Sequence, residues 1–135
     1  MTILLIEDDA VEVLKFNRSL VKLGETHELL EAYNGEIALD LLAKNSQIDL
    51  ILLDLNMPKM NGFEFLKQLR AHTDLKYLPT VVLTTSINRS DLKQTYSIGV
   101  AGYLVKPLKY DDYVLKIATL LNYWKQNELV KGLIN

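Results

Sequence analysis

The chain has 135 residues, the size of one ordinary domain, with 49% apolar and 24% charged residues, which suits a folded core and not disorder. Lys plus Arg number 15 against 17 Asp plus Glu, for a net charge of −2, which speaks against a chain built to hold nucleic acid or an anionic membrane surface. The absence of Cys excludes disulfides, thiolate metal sites, thiol nucleophiles and iron–sulfur clusters.

The N-terminus, Met1-Thr2-Ile3-Leu4-Leu5-Ile6, reaches the acids Glu7-Asp8-Asp9 without a basic stretch, so it is not a secretory signal. No run approaches the roughly 18 apolar residues of a membrane span, and the expectation is a cytoplasmic protein. Short apolar runs recur along the chain at Ile3–Ile6, Glu28–Ala32, Ile48–Leu53, Thr80–Leu83 and Val100–Val105. All but the second are nearly continuous, as strands buried on both faces are. Between them the apolar residues step by three or four, as in Val13, Phe16, Leu20 and Leu23, or Tyr113, Ile117, Leu120 and Trp124. Asn34-Gly35 is suited to open the second helix. Asn61, with Glu64 three residues on, is suited to open the third. Gly24 and Gly99 stand where the first and fourth helices should stop. The prediction is a strand–helix unit repeated five times, an α/β fold with a parallel sheet between helical layers.

The chemistry-bearing residues follow the apolar runs. Glu7, Asp8 and Asp9 come after the first, Asp54 after the third, Thr84, Thr85 and Ser86 after the fourth, and Lys106-Pro107 after the fifth. In a parallel α/β sheet these strand ends meet at the ligand-binding edge. Glu7, Asp8 and Asp54 in one place repel, and one lysine cannot neutralise them. A hard divalent cation can, and oxygen donors suit Mg2+. Asp54 is then a candidate nucleophile toward a phosphoryl group, since carboxylates form acyl phosphates. The metal and Lys106 would neutralise the transferring charge, with a hydrogen bond from Thr84.

Ile6-Glu7-Asp8-Asp9, Leu53-Asp54-Leu55-Asn56-Met57-Pro58-Lys59-Met60-Asn61-Gly62, Leu83-Thr84-Thr85-Ser86 and Gly102-Tyr103-Leu104-Val105-Lys106-Pro107 together resemble the receiver domain of two-component response regulators. The resemblance spans about residues 2 to 124. It implies a flavodoxin/CheY-like doubly wound (βα)5 sandwich with strand order 2-1-3-4-5. It also implies a receiver over residues 1–124, a short tail over 125–135 and no output domain. By the same resemblance Asp54 is the phosphoacceptor, Asp8 a direct Mg2+ ligand and Glu7 a ligand through water. The Asn56 backbone carbonyl would complete the metal shell. Thr84 and Lys106 would hold the phosphoryl oxygens, and Tyr103 would be the aromatic switch. The Lys106–Pro107 peptide bond would be cis. The pair aligned here is Glu7 and Asp8; a strand one residue longer would make it Asp8 and Asp9.

The implied function is a single-domain response regulator. It accepts phosphoryl from a sensor histidine kinase or a histidine phosphotransfer protein, and it catalyses its own phosphorylation and dephosphorylation without being a conventional enzyme. Output would go to a downstream protein target, to a homodimer through the fourth helix, fifth strand and fifth helix, or to onward phosphotransfer. A narrower similarity, carried by Leu75 to Ser86 and by Asn122 to Glu128, is to stand-alone receivers serving phytochrome-type and hybrid sensor kinases.

Taken singly, the same residues have plainer readings. A lone Asp after an apolar run is usually a cap, a lone buried Thr is usually bonded to backbone, and an aromatic in a last strand usually packs. Their joint occurrence in order is what outweighs these. The alternative function is a phosphorylation-independent adaptor, but such modules usually lack a site residue and this chain keeps the full set. A haloacid dehalogenase-type phosphatase would want an acid two residues after Asp54, where Asn56 stands. His27 and His72 lack ligand spacing and are expected at the surface.

Overall fold

The structure is a computed structural model. It describes residues 1–130 apart from Ser46 and Pro58. Pro58 of the loop motif and residues 131–135 of the expected tail lie outside the described residues. The elements are β1 (Thr2–Ile6), α1 (Ala10–Leu23), β2 (Glu28–Ala32), α2 (Gly35–Lys44), β3 (Leu50–Leu53), α3 (Gly62–Ala71), β4 (Thr80–Thr84), α4 (Arg89–Ile98), β5 (Gly102–Val105) and α5 (Tyr110–Lys125). The strands pair in parallel as one five-stranded sheet in the order β2-β1-β3-β4-β5.

The apolar runs become strands because both of their faces are covered. Ile3, Leu5, Leu50, Leu52, Val81 and Leu83 face one layer, where Phe16 and Leu20 of α1 meet Tyr113, Ile117, Leu121 and Trp124 of α5. The alternate residues Leu4, Ile6, Ile51 and Leu53 face the other layer, against Ala38 and Leu42 of α2 and Phe65, Leu66 and Leu69 of α3. This is the period-two geometry of a strand with a core on each side. Each fully buried Leu or Ile contributes about 1.5–3 kcal/mol.

The helix ends follow local chemistry. The Asp9 side chain accepts from the Val11 N–H at 2.9 Å and caps α1. Asn34 caps α2, and Asn61 with Glu64 forms a complete capping box on α3. Gly24 ends α1 in the left-handed region, φ 67°, which an L side chain rarely adopts. Gly62 is required for a different reason: a Cβ there would lie 2.7 Å from the Asp54 carbonyl oxygen and 2.7 Å from Leu55 Cα.

Two expectations are corrected. The Lys106–Pro107 bond is not cis, since no peptide bond is cis among the described residues. A trans bond is the lower-energy form by about 0.5–1 kcal/mol before proline. The His27 side chain is not at the surface but only 4% exposed. Its ring lies between the Met1 amino group, 3.1 Å from Nδ1, and Glu25, 2.8 Å from Nε2.

Candidate functional site

The sheet places the site by continuing its ladder one rung past the strands. The Glu7 N–H donates to the Ala32 carbonyl at 2.9 Å, the Asp54 N–H to the Ile6 carbonyl at 3.0 Å, and the Lys106 N–H to the Thr84 carbonyl at 2.7 Å. Each functional residue is therefore fixed at its backbone by the neighbouring strand, at the carboxyl edge of the sheet. From below, the Gly62 N–H donates to the Leu55 carbonyl at 3.0 Å and seats α3 against the end of β3.

Glu7, Asp8 and Asp54 each bring a carboxylate oxygen to within 4.8 Å of the others. Glu7 and Asp54 are buried and Asp8 is exposed. Asp9 caps α1 and lines the pocket but stands outside this group of three. Asn56, Thr85, Lys106 and Glu12 line the same pocket of about 230 Å³. Thr84 is fully buried beneath it, and its hydroxyl accepts from the Ser86 N–H at 3.4 Å. Its side chain has a backbone partner here, while Thr85 stands at the pocket wall.

Lys106 is buried and carries the positive charge of the site. Its ammonium donates to Glu7 and lies 3.4 Å from Glu12. Burial alone would lower the Lys106 pKa, but the Glu7 contact and the charges of Asp54 and Glu12 outweigh it and hold the ammonium charged. Burial pushes the Glu7 carboxyl up to about 7, against the opposing pull of Lys106, with the Asp54 charge adding to the rise. The set is thus short of positive charge. Hard oxygen donors crowded in this way fit a hard divalent cation such as Mg2+.

Beside the pocket, Tyr103 is half-buried and its hydroxyl donates to the Ser86 carbonyl at 3.0 Å. Ser86 Oγ donates to Asp91 Oδ2 at 2.8 Å. Thr84, Ser86, Tyr103 and the first turn of α4 are therefore linked in one polar chain. Glu12 is the site residue that the sequence reading passed over. Its signal is its place in the first turn of a helix that starts at Ala10, directly after the acidic run, which swings it back over the pocket.

A parallel (βα)5 sheet with three clustered carboxylates and a lysine at its carboxyl edge defines a class of phosphoryl-accepting signalling domains. Residues 3–118 match the response regulator receiver domain family, and the chain belongs to it. The probable methanogenesis regulatory protein FilR2 of Methanothrix harundinacea is 36% identical over 127 residues, 90% of this chain and 82% of its own length. Among solved structures, the phosphorylated cyanobacterial phytochrome response regulator RcpA superposes with a TM-score of 0.87 at 31% identity, covering 95% of this chain and 96% of that one. The Mn2+-bound form of the response regulator Rcp1 gives a TM-score of 0.85 at 32% identity, covering 95% and 97%. The chain is a response regulator receiver of the CheY-like type, and response regulators of this family act in two-component signalling.

Proposed function

We propose that this chain is a single-domain response regulator, a receiver over residues 1–124, that takes a phosphoryl group onto Asp54 from a phosphohistidine. The donor would be a sensor histidine kinase or a histidine phosphotransfer protein. The observation that carries this reading is the convergence of Glu7, Asp8 and Asp54 beside one buried lysine. Glu7, Asp8, Asp54 and the Asn56 backbone carbonyl would hold Mg2+. When bound, the cation neutralises the carboxylates and the charge that spreads over the transferring phosphoryl oxygens.

A carboxylate oxygen of Asp54 attacks phosphorus, and the P–N bond to the donor imidazole breaks with its electron pair staying on nitrogen. Lys106 holds one phosphoryl oxygen. Thr84 turns from its Ser86 partner to donate to another. Water later cleaves the acyl phosphate to restore the carboxylate and release phosphate. Because Ser86 also accepts from Tyr103, movement of Thr84 passes to Tyr103 and α4. Inverting an equilibrium from 1:99 to 99:1 takes about 5.5 kcal/mol of preference for the active form.

The edge formed by α4, β5 and α5 supplies the output surface. A groove of about 470 Å³ on the β5 and α5 part of it is lined by Leu104, Leu115, Leu120, Tyr123 and Trp124, with Asp112 and Lys116 at its side. A homodimer or a downstream protein would use this face. The likeness to RcpA supports a phytochrome-type kinase as donor, and the place of action would be the cytoplasm. Among the described residues no helix is long and apolar enough to cross a membrane.

The test is intact-protein mass after incubation with acetyl phosphate and Mg2+. One added phosphoryl is expected, lost in Asp54→Asn and in EDTA. An Asp54→Asn chain labelled as fast as the parent would overturn the assignment.

A further inference from the structure

Among the described residues Lys106 makes two ion-pair contacts, and neither is with Asp54, whose charge reaches it from further away. It donates to Glu7, and Glu12 Oε2 lies 3.4 Å away on α1. That Glu12 oxygen is shielded from solvent and has no hydrogen-bond donor among the described residues. A buried carboxylate oxygen without a donor is unfavourable unless a charge holds it, and the Lys106 ammonium is the cation beside it. Glu12 also lies outside the group formed by Glu7, Asp8 and Asp54. A cation taken by those three competes with Lys106 for Glu7 but leaves Glu12 in place. Lys106 would therefore keep an anionic neighbour on α1 at the moment it must turn toward the phosphoryl oxygens.

We propose that Glu12 is a positioning residue: it holds the Lys106 ammonium on the α1 side of the pocket and so restrains its engagement with the phosphoryl group on Asp54. This rests on the receiver reading given above. Removing the Glu12 charge frees Lys106 and removes one repulsive charge from the approach of an anionic donor, so it speeds phosphorylation. Loss of a metal ligand or of a structural contact would not do so.

Two measurements on the full chain decide it. In urea unfolding, Glu12→Gln should lower the midpoint in the parent and raise it in a Lys106→Met background, where the carboxylate has lost its cation; equal shifts in both would remove the pairing and the proposal with it. With acetyl phosphate at saturating Mg2+, Glu12→Gln should raise the labelling rate about twofold to fivefold, the size of a partly exposed ion-pair contribution. Glu12→Asp, too short to reach Lys106, should behave like Glu12→Gln, and Mg2+ affinity by calorimetry should not move. A slower rate with weaker Mg2+ binding would place Glu12 in the metal shell instead. An unchanged rate beside a coupled midpoint would leave the pair structural only. Either result overturns the positioning role. If the parent chain takes no phosphoryl at all, the receiver chemistry itself fails, and the unfolding cycle alone then judges the Glu12–Lys106 pair.

Discussion

Helices α3 and α4 have ten residues each and border the same layer, yet they are held in opposite ways. The α3 helix buries Gly62, Phe65, Leu66 and Leu69, while α4 buries Thr95 alone. The neighbouring strands follow the same division: β3 is buried throughout and β5 is half-buried throughout. What holds α4 is largely polar. Asn88 caps it, Ser86 donates to Asp91, and at its far end Arg70 Nε donates to the Gly99 carbonyl at 2.8 Å. Apolar burial is non-directional and hard to exchange, whereas a few hydrogen bonds can be traded for others at small net cost. The α3 side of the domain is thus held by apolar burial, and the α4 side by contacts that exchange more easily.

The largest break in this comparison is on the α3 side. Phe65→Ala should cost about 3–5 kcal/mol in urea unfolding, as truncation of a fully buried ring does. Leu92→Ala on α4 should cost about 1 kcal/mol, the ordinary value for a point change. Equal losses would erase the distinction.

An intermediate effect concerns the pocket at the carboxyl edge of the sheet. The Glu7 carboxyl is raised from 4.5 to about 7 in the folded chain. Between those values the unfolded chain binds fewer protons than the folded one, so this group's contribution to stability falls as pH rises through that window and is level above it. Unfolding curves from pH 4 to 8 should show this fall in the parent relative to Glu7→Gln, and Mg2+ should lessen it by favouring the charged carboxylate. A parent that gains stability relative to the variant over the same window would contradict the burial of Glu7.

The smallest effect concerns the polar contacts beside α4. Tyr103→Phe deletes the donor to the Ser86 carbonyl and should cost about 0.5–1.5 kcal/mol. Amide exchange in the first turn of α4 should quicken while α3 is unchanged.

The fold was legible where one local cause decides the outcome. Continuous apolar runs gave the buried strands, and Asn34, Asn61, Gly24 and Gly99 marked helix ends because capping chemistry acts within a few residues. The acids and lysine were legible because parallel topology carries every strand end to one edge. Glu12 was not, since its place arises only when helix α1 turns it over the pocket, where it meets Lys106 from the end of β5. His27 was misplaced for the same reason, because its burial depends on Met1 and Glu25 folding around it. The orientation of the Thr84 hydroxyl, set by the following loop, is likewise absent from local pattern.

The backbone contact at Gly62 carries one more implication. With no room for a Cβ between α3 and the Asp54–Leu55 peptide, the helix and the acceptor strand share a seam of main chain against main chain. The Leu55 side chain closes over the same spot, 3.1 Å from where that Cβ would lie, but the two nearest atoms are backbone and cannot repack. The Asp54 carboxylate is thereby located by main chain, the part of a polypeptide that is common to every residue.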